Sequence, residues 1–478
     1  MMRIAIIGAG ISGLSAALAL ENARAKGAAL DYVLFESAPR VGGSLLSERV
    51  DGCLVEAGPD SFLSEKPWAA VLCRELGIGD QLIGSNDHLR KTYIVVRNRL
   101  IAMPDGLQFM VPTRVLPTAL SPLFSFITKL RMLAELLHSP RPRNEKTPGD
   151  ESVAQMVARH FGAEVVERLA DPLLSGVYGG HAAGLSARAV LPRFVEMEEK
   201  YGSLSRGMLA ARRRMAKPAS ARPAAPLFTS LADGMQQLVT AMMARLAPDN
   251  VRTATPVSRI ARAYGQWQVW STGGSELYDG LILATPAWAA AELISPVDAT
   301  LANDLAAIPY SSSITVTMGY SEEQLRPLPP GFGFLVPRSE GRRMLACTFV
   351  HNKFPHRAPA GKGLLRCFLG GAKDEAALAL SDGEVEQIVR QELKEILGLA
   401  AEPLFVRIYR WPRSMAQYNV GHLSRVARIE AVARRLPSFA LAGNAFHGIG
   451  VPDCIRSGQQ AAAAVAQLAS EQPAQEMR

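Results

Sequence analysis

The residues best suited to chemistry come early, in Gly8-Ala9-Gly10-Ile11-Ser12-Gly13 and the acid Glu36. An apolar run (Ile4, Ala5, Ile6, Ile7) precedes the glycines, and a helical pattern (Leu14, Ala17, Leu18, Leu20) follows them. That order suits a strand, a tight turn and a helix whose N-terminus faces an anion. Gly8 permits the turn. Gly10, followed by Ile11 and Ser12, brings backbone N–H groups up to a pyrophosphate, and Gly13 lets the helix pack close to the strand. A second strand, Tyr32 to Phe35, delivers Glu36 and Ser37, where a carboxylate can accept from ribose hydroxyls. Glycine turns occur in many loops that bind nothing, but here both flanks match a dinucleotide site.

Several elements must position that site. Ala38-Pro39-Arg40-Val41-Gly42-Gly43-Ser44 reads either as a hairpin turn or as a second cofactor loop with Arg40 near phosphate. Glu56-Ala57-Gly58-Pro59-Asp60 offers another close backbone approach, in which Glu56 need be no more than a turn acid. After Thr255-Pro256-Val257, a hairpin-like pair, Trp267 to Ser271 and Glu276 to Tyr278, leads into the apolar strand Gly280 to Leu283, closed by Ala284, Thr285 and Pro286. Near the end, Phe439 to Ala442 runs into a glycine-rich loop containing Gly443, Asn444 and Gly450, then into a small-residue helix after Val451. This is either a second anion or carbonyl site or a surface loop.

With 478 residues the chain has room for two or three domains. Its net charge of +8 and pI near 9.3 fit an anionic partner such as a membrane surface, a polycarboxylate or nucleic acid, or simply a solvated basic surface. The five cysteines are scattered without a CxxC pair, so neither zinc nor a disulfide framework is indicated and a reduced cytoplasmic setting fits. With the first strand beginning almost at Met1 no leader is expected, and no apolar run reaches a membrane span.

The middle of the chain has a different texture. Tyr93 to Arg99 is strand-like. Leu107 to Leu137 mixes large apolar residues with Arg114, Lys129 and Arg131, and Pro117 and Pro122 are expected to break it into short helices. Those helices are either ordinary core or lie in a membrane interface. Ser139 to Asp150 reads as a loop, and Glu151 to Leu169 and Arg188 to Lys200 as helices. Between them, Asp171-Pro172-Leu173-Leu174-Ser175-Gly176-Val177-Tyr178-Gly179-Gly180 suits either backbone approaching something flat or a tight turn. The basic run from Arg206 through Arg212, Arg213, Arg214, Lys217 and Arg222 reads as a solvated loop or a phosphate contact; no aromatics are interleaved for bases to stack on. Ser311 to Leu369 alternates like antiparallel strands, and Glu384 to Leu397 is helical.

Taken together, GAGISGLSAALAL, RVGGS and GNAFHGIGVPDCIRSGQQAA resemble the FAD-dependent amine oxidase and protoporphyrinogen oxidase superfamily. VEAGPDSFL, DPLLSGVYGG, FTSLADGMQQL and WPRSMAQYNVGH resemble, more narrowly, the oxygen-dependent proto- and coproporphyrinogen oxidases. The resemblance implies an α/β fold with a discontinuous Rossmann-type FAD-binding domain (1–88, 227–298, 437–478). It also implies an α-helical membrane-associated domain (89–206), a basic linker (207–226) and a mixed-sheet substrate domain (299–436). It further implies stepwise oxidation of protoporphyrinogen IX or coproporphyrinogen III in haem biosynthesis, by hydride transfer to flavin N5, with dioxygen consumed and hydrogen peroxide released.

FAD would be held by Gly8, Gly10, Ile11, Ser12, Gly13, Glu36, Ser37, Arg40, Gly42, Gly43, Ser44, Gly58, Pro59, Asp60, Val257, Ala284, Thr285, Trp411, Gly443, Asn444, Gly450 and Val451. Gly176, with Tyr178 beside it, would meet the pyrroles. Lys91, or Arg90, would pair with a propionate, although Thr92 stands near the usual basic position and Ser44 replaces a common arginine. No side chain is assigned as a catalytic base, His447 included, and no metal is expected. The partners implied are porphyrinogen, dioxygen, a membrane surface at the periphery of the cytoplasm, ferrochelatase and a second copy of the chain, but not nucleic acid. Other FAD oxidases or desaturases, and a non-catalytic flavoprotein at a membrane surface, are the alternatives.

Overall fold

Central strands buried on both faces read as apolar runs, and residues 4–7, 32–35 and Gly280–Leu283 do so at the centre of a five-stranded parallel sheet. The computed structural model describes residues 1–108, 110–138, 149–215 and 225–471. The sheet order is Val251–Arg252, Leu30–Phe35, Met2–Ile7, Gly280–Leu283, Phe439–Leu441. On one side Ile4, Ile6, Leu34 and Ile282 pack with the helices Ile11–Ala25 and Val451–Glu471; on the other, Ala5, Ile7, Val33 and Leu283 pack with Trp267, Ile294 and Leu301. The two helices approach so closely that a Cβ on Gly458 would collide with the Ser12 carbonyl oxygen.

A second, seven-stranded sheet runs in the order Phe405–Ala416, Tyr310–Ser321, Lys362–Gly370, Ala346–Phe349, Gly333–Leu335, Thr92–Val96, Arg99–Ala102. Only the pairing of Gly333–Leu335 with Thr92–Val96 is parallel. Alternation divides its faces. Ile314, Val316, Met318, Leu365, Cys367 and Leu369 belong to the core that also takes Val385, Val389 and Leu393 from the helix Asp382–Leu397. Thr315, Thr317, Arg366, Phe368, Tyr409 and Trp411 occupy the other face, which looks onto the parallel-sheet lobe.

The expected boundaries shift accordingly. The strands at 92–102 belong to the seven-stranded sheet, so a helical unit does not begin at residue 89. The helices Ala299–Ala306 and His422–Ala433 bury Leu301, Leu305, Val426 and Ile429 in the parallel-sheet core, which places 299 and 437 inside that lobe. Residue 207 falls within the helix Leu204–Met215, so Arg206 and Arg212 to Arg214 lie on a helix rather than in a loop. Lys217, Arg222 and 139–148 of the expected loop lie outside the described residues.

Pro117 does not break the helix Val115–Leu120; it sits in its first turn, where its missing N–H costs nothing. Pro122 separates that helix from Phe126–Ala134. Gly162, at φ 95°, ends the helix Val153–Phe161, so the single helix expected from Glu151 to Leu169 is interrupted. The helix expected from Arg188 to Lys200 is likewise split, into Ala187–Val190 and Pro192–Tyr201.

The helical region is tied together by a buried carboxylate. Glu135 accepts from the N–H groups of Leu204 (2.6 Å) and Ser205 (3.2 Å), from Ser203 Oγ (2.9 Å) and from His160 Nδ1 (2.9 Å). It thereby caps the helix Leu204–Met215 while gripping the helix Val153–Phe161. His160 Nε2 lies 3.4 Å from Glu198 Oε1. Glu135, His138 and His160 bring potential metal-ligating atoms within 4.8 Å of one another, although the Glu135 oxygens are already engaged by those donors. Among the described residues, no helix is long and apolar enough to cross a membrane.

Candidate cofactor and substrate cleft

Three glycines of the first turn meet three different surroundings. Gly8 has φ 99°, and a Cβ there would lie 2.9 Å from the Ala284 carbonyl oxygen; one on Gly13 would collide with the Gly8 carbonyl oxygen; one on Gly10 would meet nothing within 4 Å. The turn is therefore tight against the neighbouring strand, close-packed under its helix, and open above Gly10. Ile11 and Ser12 begin the helix at that opening.

The second glycine pair sits directly against the first turn. Gly42 N–H donates to Ala9 C=O (2.7 Å), Gly10 and Gly42 form a parallel bridge, and a Cβ on Gly43 would lie 3.2 Å from Gly10 Cα. The Arg40 guanidinium turns back to Gly43, Val41 and Leu45 carbonyls and braces its own loop. Glu36 accepts from Ala9 N–H (2.8 Å) and Ala38 N–H (2.9 Å), with Ser37 Oγ 3.3 Å away. Thr255 N–H donates to Glu36 C=O, which brings Val257 to the same end.

Ala57 and Gly58 continue this surface. A Cβ on Gly58 would collide with the Ser44 carbonyl oxygen, and the Trp411 indole donates to Ala57 C=O (2.9 Å). Pro59 and Asp60 follow. The C-terminal loop closes the far side: Gly443 N–H donates to Ser457 Oγ, Asn444 donates through its amide to Ser414 C=O, and Gly450 leads into Val451 at the helix start. His447 is exposed and meets Glu430, a surface contact.

The Gly176 segment is helical, from Asp171 to Tyr178, and ends on Gly179 in the left-handed region. Gly176 is exposed in the last turn, where carbonyls lack an intrahelical N–H. Its Cα faces Leu335, 3.4 Å from where a Cβ would stand. Leu335 pairs with Ala346, Ala346 with Phe368, Phe368 with Thr315 and Thr315 with Tyr409, one lateral row across the seven-stranded sheet. The next row is Thr92, Gly333, Thr348, Arg366, Thr317 and Arg407. Small residues (Ala346, Gly333 and the threonines) alternate in these rows with Leu335, Phe368, Tyr409, Arg366 and Arg407. Tyr178 lies half-buried beside Tyr418, its phenol pushed up to about 12 by burial, and its carbonyl accepts from Gln417.

The two cation candidates differ in setting. Lys91 C=O accepts from Phe332 N–H, which extends the parallel ladder by one residue. Alternation then puts Thr92 on the cleft-facing side with Ile94, and Lys91 on the side of Tyr93, which packs toward the outer helix. Arg90 lies before the strand, in the tight turn that closes the short helix Asp87–Leu89, where Lys91 N–H donates back to Leu89 C=O (2.6 Å). Both cations are exposed.

A buried charge cluster escapes a reading by motif. Lys353 Nζ pairs with Asp60 (3.0 Å), Arg357 with Glu56 (3.0 Å), and Arg366 lies 3.9 Å from Asp60 while donating to Gly58 C=O. Burial would raise the Asp60 carboxyl, but Lys353 and Arg366 hold it well below the usual range; burial pushes Glu56 up despite Arg357. Burial also lowers both arginines. The signal available in the sequence was one charge, Arg366, inside the otherwise apolar strand Leu364 to Leu369.

These features define a two-lobed flavoprotein cleft, and the chain belongs to the flavin-containing amine oxidoreductase family, whose model matches residues 11–466. It is 34% identical over 461 residues to the coproporphyrinogen III oxidase of Bacillus subtilis (strain 168), covering 96% of each chain. It is 27% identical to protoporphyrinogen oxidase 2, chloroplastic/mitochondrial, of Arabidopsis thaliana, over 96% of this chain and 93% of that one. A crystal structure from Exiguobacterium sp. 255-15, provisionally named a protoporphyrinogen oxidase, superposes with a TM-score of 0.86 at 31% identity, covering 98% and 99% of the two chains.

The family's cofactor is a flavin, and FAD is the form that fits a dinucleotide cradle here. The space above Gly10 is open, and Thr285 Oγ1, beside Gly8, is buried without a partner among the described residues.

Proposed function

We propose that this chain oxidises coproporphyrinogen III to the porphyrin, with dioxygen as final acceptor, and that protoporphyrinogen IX is the poorer substrate. One observation carries the reading: the coproporphyrinogen III oxidase from Bacillus subtilis matches this chain from end to end at higher identity than the plant protoporphyrinogen oxidase. When bound, FAD supplies the two-electron acceptor for a methylene-bridge hydrogen.

The chain's own residues bind and orient. The cofactor set named above holds FAD, with the Gly10 opening toward its pyrophosphate and Glu36 toward its ribose. The free carbonyl at Gly176 accepts from pyrrole N–H groups and orients the macrocycle beside the sheet row of Leu335, Ala346 and Phe368. Propionates extend toward the edge at Thr92, where the exposed Arg90 and Lys91 are the two candidate anchors. No side chain is needed as a base, because pyrrole protons can leave to solvent.

The helices Val115–Leu120 and Phe126–Ala134 support a peripheral membrane contact. Leu116, Leu120, Phe126, Ile127 and Leu130 are exposed there beside Lys129, and Leu137 in the turn that follows.

Purified protein given each porphyrinogen anaerobically and in air tests the reading. Porphyrin fluorescence should appear in air with oxygen consumed, at a higher kcat/KM for coproporphyrinogen III. A yellow protein that leaves both substrates at their uncatalysed rates would remove the proposal. Arg90→Ala and Lys91→Ala compared side by side identify the anchor by the larger rise in KM, and an unchanged KM in both would remove the propionate assignment.

A further inference from the structure

Arg366 is an unusual residue for the middle of a sheet: 5% exposed, it stacks its guanidinium over Phe368 (5.0 Å) and leaves Nε without a partner among the described residues. It projects from the seven-stranded sheet, yet its donors end on Gly58 C=O and, at 3.5 Å, Ala57 C=O, in the opposite lobe. That backbone abuts Ser44 of the second glycine loop. Lys353 and Arg357 stand in the same buried layer, so three cations face two carboxylates, Glu56 and Asp60. The nearby Glu48 is occupied by Tyr409 and Arg407, and Arg49 by Asp233, outside this layer. One positive charge is thus left over behind the Ala57–Gly58 backbone, shielded from water, where its field is strongest.

We propose that Arg366 is an electrostatic positioning residue of the cofactor site: it fixes the Ala57–Gly58 backbone from across the cleft, and the surplus positive charge it supplies favours the electron-rich, negatively charged form of the bound flavin. A charge aimed at the place where negative charge develops acts without reorganisation at the moment of reaction. The inference rests on the flavin part of the proposed function and needs no porphyrinogen.

Sulfite is the probe. It adds to oxidised flavin through one new S–N bond, the ring accepting the electron pair with no leaving group, and bleaches the yellow band. Holoenzyme titrated with sulfite should show a dissociation constant about tenfold higher in Arg366→Met, with Arg366→Lys between the two. The two-electron reduction potential should fall in step, tenfold in the equilibrium constant corresponding to about 30 mV. Asp60→Asn, of nearly equal size, removes an anion and should shift both readings the other way. A merely structural Arg366 would change FAD retention but not the sign relation between the two variants. If Arg366→Met fails to fold, Asp60→Asn decides: unchanged or weaker sulfite binding in it overturns the proposal, as does an unchanged constant in an Arg366→Met that retains FAD.

Discussion

Gly10 and Gly13 stand three residues apart and should respond to an added methyl in different ways. At Gly13 a Cβ would collide with the Gly8 carbonyl oxygen, so Gly13→Ala forces the helix off its strand whether or not cofactor is present. At Gly10 the same methyl meets no protein atom and occupies only the space above the turn. Gly13→Ala is therefore expected to lower apoprotein stability by roughly 1–3 kcal/mol in chemical denaturation, the range of ordinary packing conflicts. Gly10→Ala should leave apoprotein stability within about 0.5 kcal/mol and weaken FAD binding at least about tenfold. FAD titration of both apoproteins checks the pair, and equal apoprotein losses would contradict it. These roles were legible in the sequence because strand, turn and helix are contiguous. The setting of Arg90 and Lys91 was not, because it depends on the turn after Asp87–Leu89 and on pairing between Thr92–Val96 and Gly333–Leu335, distant in the chain. Arg366 was hidden for the same reason: its partners in the opposite lobe are Ala57 and Gly58.

Among the helices, the join at Glu135 sets a pH window. Burial opposes ionisation of Glu135, yet hydrogen bonds from His160, Ser205 and Ser203 hold its carboxyl down at about 2; His160 is held up by Glu135 and Glu198 against its own burial. A carboxyl depressed on folding stabilises above its usual value near 4.5 and loses that contribution as pH falls toward 2. A raised histidine stabilises below its usual value near 6.5 and loses that contribution as pH rises through its folded pKa. Both contributions are complete together between about 4.5 and 6.5. Glu135→Ala should cost about 3–5 kcal/mol in that window, because it strips His160 of one of its two acidic partners and leaves a buried helix N-terminus uncapped. Urea denaturation across pH checks this, and a pH-independent loss would count against the hub. On the outer face, Ile127→Ser with Phe126→Ser should weaken flotation with anionic vesicles at low salt without changing the melting temperature by more than a few degrees. The apolar, basic texture of this region was legible in the chain. That Pro117 opens a helix, and that the arginines after Leu204 ride on one, were not, because the partner that caps the helix Leu204–Met215 lies at Glu135, on another segment.

Across the whole molecule, the two lobes meet through buried charge rather than through apolar surface alone. Glu56, on the strand Cys53–Glu56, accepts from Ser47 Oγ (2.6 Å) and Met235 N–H (2.9 Å) in its own lobe and pairs with Arg357 from the other; Arg357 also donates to Ser230 Oγ (2.6 Å). Both members are almost wholly buried. Such a pair contributes little relative to a well-packed apolar substitute, but breaking it leaves a charge stranded in low dielectric. Arg357→Met alone should therefore cost about 3–5 kcal/mol, and Glu56→Gln alone a comparable amount. The double variant should cost clearly less than the sum, with a coupling of about 1–3 kcal/mol in a denaturation cycle. Additivity within about 0.5 kcal/mol would mean that the lobes do not communicate through this pair. If the coupling is present, FAD binding should report it too. Glu56 leads directly into Ala57 and Gly58, so a stranded Glu56 disturbs the backbone that approaches the cofactor, and the double variant should recover part of the FAD affinity that Arg357→Met loses.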